Sequence, residues 1–169
     1  MAQKAITIYT KPADPAHITA GDDAAIYRAI LGSASGITEA DDQLACARVS
    51  DTSVSIAKGV FSNQGFLLRV DAPITLAVDV GQAGFNRNDL IVAEYVVGGG
   101  DTSDVHVLKV IKGTQTAGAA ADPTLEQDDL TAATAGDKRQ EPLYRLTING
   151  TTLSATIDRI APYVGSYYA

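Results

Sequence analysis

The sequence lacks tryptophan, contains one cysteine and two histidines, and is only 6% aromatic. A single cysteine cannot form an internal disulfide, and the strand-like surroundings of Cys46 predict a small buried residue rather than a reactive thiol. Nucleophilic catalysis needs a base beside a serine or cysteine, and neither His17, in a proline-rich stretch, nor His106, inside a predicted strand, has such a setting. These shortages argue against a catalytic site.

Long apolar runs and basic clusters are also missing. No run approaches the roughly 18 apolar residues of a membrane-spanning helix, and no charged start leads into the apolar stretch of a signal peptide. We therefore expect no membrane span, no secretion signal, and synthesis inside a cell. The net charge is -7 and no basic stripe is present, which argues against a nucleic-acid partner, because such binding depends on clustered lysine and arginine.

The residues that are present centre on a predicted β-hairpin. Residues 86–97 and 105–114 are rich in valine and isoleucine, and the glycines at 98–100 permit a reversal between them. Only Glu94 interrupts the apolar stretch that follows Asp89, so the first strand is apolar on both faces. Such a strand needs cover on both faces, by a core on one and by a helix, a neighbouring sheet or another subunit on the other.

The amino-terminal part is predicted to be an arm followed by a helix. Residues 4–10 alternate as a short strand with Ile6 and Ile8 on one side, and residues 11–16 form a connector in which two prolines remove backbone donors. Thr19 followed by Asp22 predicts the start of a helix, and Gly32 is placed to end it. Helical spacing of its apolar residues makes this a short amphipathic helix of about three turns.

Short strands and turns occupy most of the remaining chain, which predicts a mainly β, antiparallel sandwich-like domain. Residues 115–140 contain few large apolar side chains and predict a long surface loop, pinned by Leu125 and Leu130. Asn149 and Gly150 predict a type I′ turn into a second hairpin. The expected organisation is an arm and connector over 1–17, one β-rich domain over 18–161 and a tail over 162–169. Candidate strands, besides the two hairpins, cover residues 44–49, 54–56, 65–70 and 74–80.

Acidic and glycine-rich stretches do not form recognisable ligand sites. The pairs at 22–23, 41–42 and 128–129 lack the alternating oxygen-ligand spacing of a calcium loop. The turn at 101–104 could bind a cation weakly, although a solvated loop is the preferred interpretation. The glycines at 98–100 precede a strand rather than a helix and so do not form a phosphate-binding loop. We expect no catalytic residue, no metal and no cofactor.

Several stretches of the sequence form an ordered set: residues 23–32, 59–65, 81–84 leading into 86–93, 110–114, 122–123 and 141–146. Taken together, they resemble the structural proteins of long-tailed bacteriophage and prophage tails, in particular the baseplate or receptor-binding-protein shoulder type. The resemblance spans roughly residues 18 to 160.

This resemblance implies a virion tail component that is assembled in the bacterial cytoplasm, self-associates, often as a trimer, and docks to other tail or baseplate proteins near the host-contacting tip. A host-surface glycan is a further ligand of such proteins, although their receptor-binding head usually follows this domain. Surplus apolar surface on the central strands also favours self-association, unless a two-sheet sandwich absorbs it. The candidate interface residues are Arg87, Asp89, Tyr95, Tyr144, Arg145, Tyr167 and Tyr168.

Two alternatives remain open from the residues themselves. Arg87 could pair with a carboxylate across an interface, whereas asparagine and aspartate before a strand more often close a turn. The whole chain could instead be a carbohydrate-binding β-sandwich module or adhesin. The lack of tryptophan weighs against that second function, because such modules present aromatic platforms.

Overall fold

The computed structural model describes residues 18–165, which form a mainly β structure with one α-helix. The predicted strand over 4–10, the connector, and Tyr167 and Tyr168 lie outside the described residues. A 3₁₀ turn covers Leu130–Ala132. The elements are α1 (Ala20–Leu31), β1 (Gly36–Thr38), β2 (Cys46–Ser50), β3 (Ser53–Ile56), β4 (Gly59–Asn63), β5 (Phe66–Val70), β6 (Ile74–Ala77), β7 (Asn86–Val96), β8 (Val105–Ile111), β9 (Lys138–Asn149), β10 (Thr152–Leu153), β11 (Asp158–Arg159) and β12 (Tyr163–Val164).

α1 begins and ends at the capping residues that the sequence predicts, Thr19 and Gly32. The Thr19 hydroxyl accepts from the Asp22 backbone N–H at 3.3 Å, and the Asp22 carboxylate accepts from the Thr19 backbone N–H at 2.7 Å, which is a capping box. Gly32 ends the helix at φ +90° and ψ 168°, so its φ is positive but its ψ is extended. Of the apolar helix residues only Ala24 is buried, whereas Ile26 and Tyr27 remain about 40% exposed.

The central sheet confirms the predicted hairpin and places β7 in its interior. The strand order is β10-β9-β7-β8, with β11 also on β9, and β7 pairs antiparallel with both β8 and β9. Arg87, Asn88 and Asp89 therefore lie inside a paired strand, and the interpretation that Asn88 and Asp89 close a turn is wrong. A bulge between Ile91 and Val92 shifts the register with β9 and adds Leu143 to the buried residues.

Two smaller sheets cover one face of the central sheet, as a sandwich requires. Their strand orders are β12-β1-β4-β5 and β2-β3-β6, and they approach the central sheet through β4 against β7, β1 against β9 and β6 against β8. The core between the layers draws Phe61 and Ile37 from the first small sheet, Val54 and Ile56 from the second, and Ile91 from the central one.

The segment between β8 and β9 covers the other face of the central sheet. Asn88 shares that face with Leu90 and Val92, and its amide donates to Ala120 O at 3.4 Å and to Asp122 Oδ1 at 3.0 Å. Further along, the Glu126 backbone N–H donates to Gln140 Oε1 at 3.0 Å. Leu90 and Val92 are buried as a result. The predicted loop exists, but it absorbs the apolar surface on β7 that favoured a partner subunit.

The second hairpin differs in its turn and its length. β10 pairs with β9 over two residues only, and Thr152 opposite Asn149 leaves Gly150 and Thr151 as the two-residue loop. Gly150 has φ +61°, whereas Asn149 and Thr151 are not among the residues with positive φ. A positive φ at the first loop position alone is the pattern of a type II′ turn, so the predicted type I′ turn at Asn149 and Gly150 is wrong.

Candidate interaction surface

Two of the predicted interface residues, Arg87 and Asp89, form a buried ion pair inside the subunit. Their side chains are 1% and 0% exposed, with Arg87 Nε 2.8 Å from Asp89 Oδ1 and Nη2 3.0 Å from Oδ2. Arg87 Nη2 also donates to Asp79 O at 2.6 Å, and Asp89 Oδ1 accepts from the Gly113 backbone N–H at 2.9 Å. A period of two puts both side chains on the core face of β7, where they bind each other inside the subunit.

Tyr95 and Tyr144 are also buried, at 5% and 6% exposure. The Tyr144 hydroxyl donates to Leu44 O at 3.0 Å. The Tyr95 hydroxyl donates to the Asp104 carboxylate, and its ring packs against Phe66 with centroids 4.5 Å apart. Burial and this bond to Asp104 raise the pKa of Tyr95. Both tyrosines fasten elements of the fold to each other.

Arg145 keeps a surface position. Its side chain is 35% exposed, and its Nε donates to Asp122 Oδ1 at 2.7 Å, with a second bond from Nη2 to Oδ2. The Arg145 hydrogen bond lowers the pKa of Asp122. This pair holds the segment between β8 and β9 against β9. Of the residues predicted for an interface within the described part, Arg145 is the one that retains access to solvent.

The structure instead shows an apolar groove between β5 and β8, which we call the β5–β8 groove. β5 is the last strand of the first small sheet and β8 is the last strand of the central sheet. A cleft of about 400 Å³ at the start of α1 is lined by Thr19, Phe66, Tyr95 and Asp104 among others. Two further hollows, of about 260 Å³ and 300 Å³, continue along the groove on either side of His106.

Partly exposed apolar side chains border the β5–β8 groove. Tyr27 on α1 and Leu67 on β5 are 39% and 37% exposed, and Val107 on β8 is 41% exposed. Sequence reasoning missed this surface because it depends on which strands end up at sheet edges. The sequence did contain one signal for it, because β8 has apolar residues on both faces. When such a strand lies at the edge of a sheet, part of its apolar surface stays open.

His106 lies inside this groove and is half-buried, with both ring nitrogens shielded from solvent. Its ring meets Tyr95 edge-on with centroids 5.1 Å apart, and within the described structure neither ring nitrogen has a hydrogen-bond partner of good geometry. Burial lowers the pKa of His106 to about 4, and the nearby Leu67 backbone offsets a smaller part of this effect. The side chain packs between β5 and β8.

We expect His106 to make the fold sensitive to mild acid. Because its pKa falls from 6.5 in the unfolded chain to about 4 in the fold, stability present above pH 6.5 is lost as the pH falls towards 4. The loss is roughly 3 kcal/mol at most. Urea unfolding of the wild type and His106→Leu at pH 7.0, 6.0 and 5.0 measures it. The variant should show a shallower decline, and parallel declines would contradict the prediction.

Within residues 18–165, no three histidine, cysteine, aspartate or glutamate side chains are grouped so as to hold a metal ion. Asp104, in the turn that the sequence offers as a weak cation site, accepts hydrogen bonds from the Tyr95 hydroxyl and from the Gly98 backbone N–H, the latter at 2.8 Å. Burial raises the pKa of the Cys46 thiol to about 12, which keeps it protonated and unreactive near neutral pH.

No protein-family model matches the sequence, and no curated protein matches it significantly. None of the helical segments in the described part combines the length and apolar character needed to cross a bilayer.

Proposed function

We propose that the protein is a self-associating structural protein, built from one β-sandwich-like domain, that uses the α1 side of the β5–β8 groove as its subunit contact. More specifically, we propose that it belongs to the tail or baseplate of a bacteriophage or prophage, near the tip that meets the host. The proposed assembly is a homotrimer that docks to other tail proteins.

The observation that carries self-association is the apolar surface formed by Tyr27 and Leu67. They are 39% and 37% exposed, and both line the hollow between α1 and β5. Fully burying a large apolar side chain is worth about 1.5–3 kcal/mol, and these residues would gain part of that on association. An apolar surface of this kind, bordered by polar residues such as Asp23, is typical of protein contact sites.

The ordered resemblance supports the more specific proposal. Its stretches correspond to framework elements: residues 23–32 lie in α1 and its cap, 59–65 in β4 and the turn to β5, and 86–93 in β7. Arg145 and Asp122, which both fall in matching stretches, join the covering segment to β9. Framework positions of this kind suit a protein whose role is structural. The number three comes from the resemblance, and closed symmetric rings are the usual outcome of self-association.

Light scattering coupled to gel filtration tests the assembly. The expected mass is about three times the 17.6 kDa of the chain, and a mass equal to one chain at working concentration would overturn the proposal. Tyr27→Asp should shift the population towards monomer. Val49→Asp is the matched control, because Val49 is 58% exposed but lies on β2, away from the groove, and it should leave the mass unchanged.

Location in a virion requires a separate test. Antibodies against the protein should label one end of tailed particles purified from cells that carry the gene. Neighbouring genes that encode tail-assembly proteins would support the same conclusion. A glycan array tests the alternative function. Strong glycan binding by the purified domain, together with tailed particles that the antibodies do not label, would favour a carbohydrate-binding module.

A further inference from the structure

Asn149 differs from the other asparagines of the chain in how its side chain is held. The side-chain amides of Asn63, Asn86 and Asn88 each donate to a backbone oxygen inside the structure. Asn149 is exposed at the end of β9, and none of the hydrogen bonds within residues 18–165 involves its side chain. It is also the one asparagine that a glycine follows. Its side chain can therefore turn towards the backbone of the next residue.

We propose that Asn149 is a self-modification site at which the chain converts asparagine into aspartate and isoaspartate. The Gly150 backbone nitrogen loses its proton to hydroxide and attacks Asn149 Cγ. The N–Cγ bond forms, the Cγ–Nδ2 bond breaks, and Nδ2 takes a proton from water and leaves as ammonia. The product is a cyclic imide, which water opens: cleavage of the N–Cγ bond gives aspartate, and cleavage of the original peptide bond gives isoaspartate. This inference goes beyond the proposed function, because it concerns the covalent integrity of each chain rather than its assembly.

The residue after Asn149 favours the attack. Gly150 has no side chain to crowd its nitrogen, and even a Cβ there would meet no atom within 4 Å. The nitrogen is not free in the closed turn, however, because its N–H donates to Phe85 O at 2.8 Å. That hydrogen bond must break before the proton can leave. Opening of the turn between β9 and β10 therefore controls the modification.

The turn is held by a short stretch of pairing that can open locally. β10 pairs with β9 over two residues only, and the Ser154 backbone N–H adds one bond to Thr147 O at 2.8 Å. Leu153, which is 1% exposed, is the side chain that anchors β10 in the core. Short peripheral elements open more often than the strands at the centre of a sheet. The modification thus proceeds in the folded protein, without global unfolding.

The products change the end of the central sheet. A carboxylate replaces a neutral amide, so the net charge goes from -7 to -8. Isoaspartate also routes the main chain through Cβ and adds one carbon between this residue and Gly150. Asn149 lies opposite Asn86 on one side and Thr152 on the other. The extra carbon therefore displaces β10 from its register, while the pairing of β7 with the rest of β9 is kept.

Incubation of the folded full-length chain in buffer, followed by peptide mass spectrometry, tests the modification. The peptide that contains Asn149 should gain about 1 Da, and the gain should be at least about 10-fold faster at pH 8 than at pH 6, because the attacking nitrogen must lose its proton. Asn149→Gln should abolish the gain, since the longer side chain closes the ring far more slowly. An unchanged Asn149 peptide, or an equal gain at Asn86, would overturn the proposal.

A pair of leucine variants tests whether the turn opens locally. Leu153→Ala weakens the anchor of β10 and should speed the conversion of Asn149 at least about 10-fold. Leu130→Ala is the matched control, because Leu130 is also buried, at 4% exposure, but lies beside the cleft at the start of α1. It should change the rate by less than about 2-fold. Circular dichroism reports whether each variant is folded, and Leu153→Val replaces Leu153→Ala if the latter is not. Equal acceleration by the two variants would mean that the reaction needs global unfolding, which contradicts the proposal.

Discussion

Asp89→Asn is expected to lower the free energy of unfolding by about 3–5 kcal/mol, because it leaves the Arg87 guanidinium buried without its counter-charge. Arg87 is 1% exposed and is held by both carboxylate oxygens of Asp89. The same carboxylate accepts from the Gly113 backbone N–H, so the substitution also weakens the link between β7 and the end of β8. Urea unfolding at pH 7, followed by tyrosine fluorescence, measures the loss.

A nearby exposed ion pair provides the control. Lys112 Nζ lies 2.8 Å from Asp79 Oδ2, with side chains 53% and 67% exposed, and Lys112→Ala should cost no more than about 1 kcal/mol. The double variant Arg87→Met with Asp89→Leu should lose less than Asp89→Asn alone, since it removes the charge as well as its partner. Equal losses for Asp89→Asn and Lys112→Ala would show that the buried pair is dispensable.

Gly65→Ala is expected to destabilise the protein by about 2–4 kcal/mol and to loosen α1 from the sheet. Gly65 adopts φ +90°, and a Cβ there would lie 2.2 Å from the backbone oxygen of Ala24 and 2.8 Å from Arg28 Cγ. The alanine therefore combines an unfavourable φ with a clash against helix backbone. Thermal unfolding and the helical circular dichroism signal near 222 nm report the two effects.

Gly84→Ala isolates the contribution of the backbone angle. Gly84 has φ +80°, close to that of Gly65, but a Cβ there meets no atom within 4 Å. We expect this control to cost about 1–2 kcal/mol, the range for an alanine in that region. The excess for Gly65→Ala measures how closely α1 approaches the β4–β5 turn. Similar losses for the two variants would mean that the helix moves away at little cost.

The features that the sequence predicted well depend on local signals. The α1 helix was predictable because Thr19 and Asp22 form a capping box three residues apart and Gly32 follows the last turn. The β7–β8 hairpin was predictable because two β-branched runs flank a glycine loop. Leu130 was correctly expected to anchor the long segment, and it is buried. In each case the residues that decide the structure are close together in the chain.

The mispredicted features depend on residues far apart in the sequence or on which face of a strand is turned towards the core. Residues 86–89 resemble a polar lead-in to a strand, and only pairing with the far end of β9 brings them into the sheet. Arg87 and Asp89 do carry a usable signal, because opposite charges two residues apart share a strand face with Ile91 and Ala93. β1 and β12 have only three and two residues, too short for any periodicity. They form strands because they pair with each other in the first small sheet.

The pairing of β1 with β12 affects how the protein folds while it is being translated. Ile37 of β1 pairs with Tyr163 of β12 in parallel. β1 therefore cannot complete its pairing until β12, far along the sequence, has been synthesised. The first small sheet keeps an open edge on the ribosome until residue 164 has emerged, although β4 and β5 can pair beside it much earlier. Contacts this far apart in sequence slow folding. We therefore expect chaperones to bind nascent chains that end before β12. They should release chains that include β12 when the first small sheet closes.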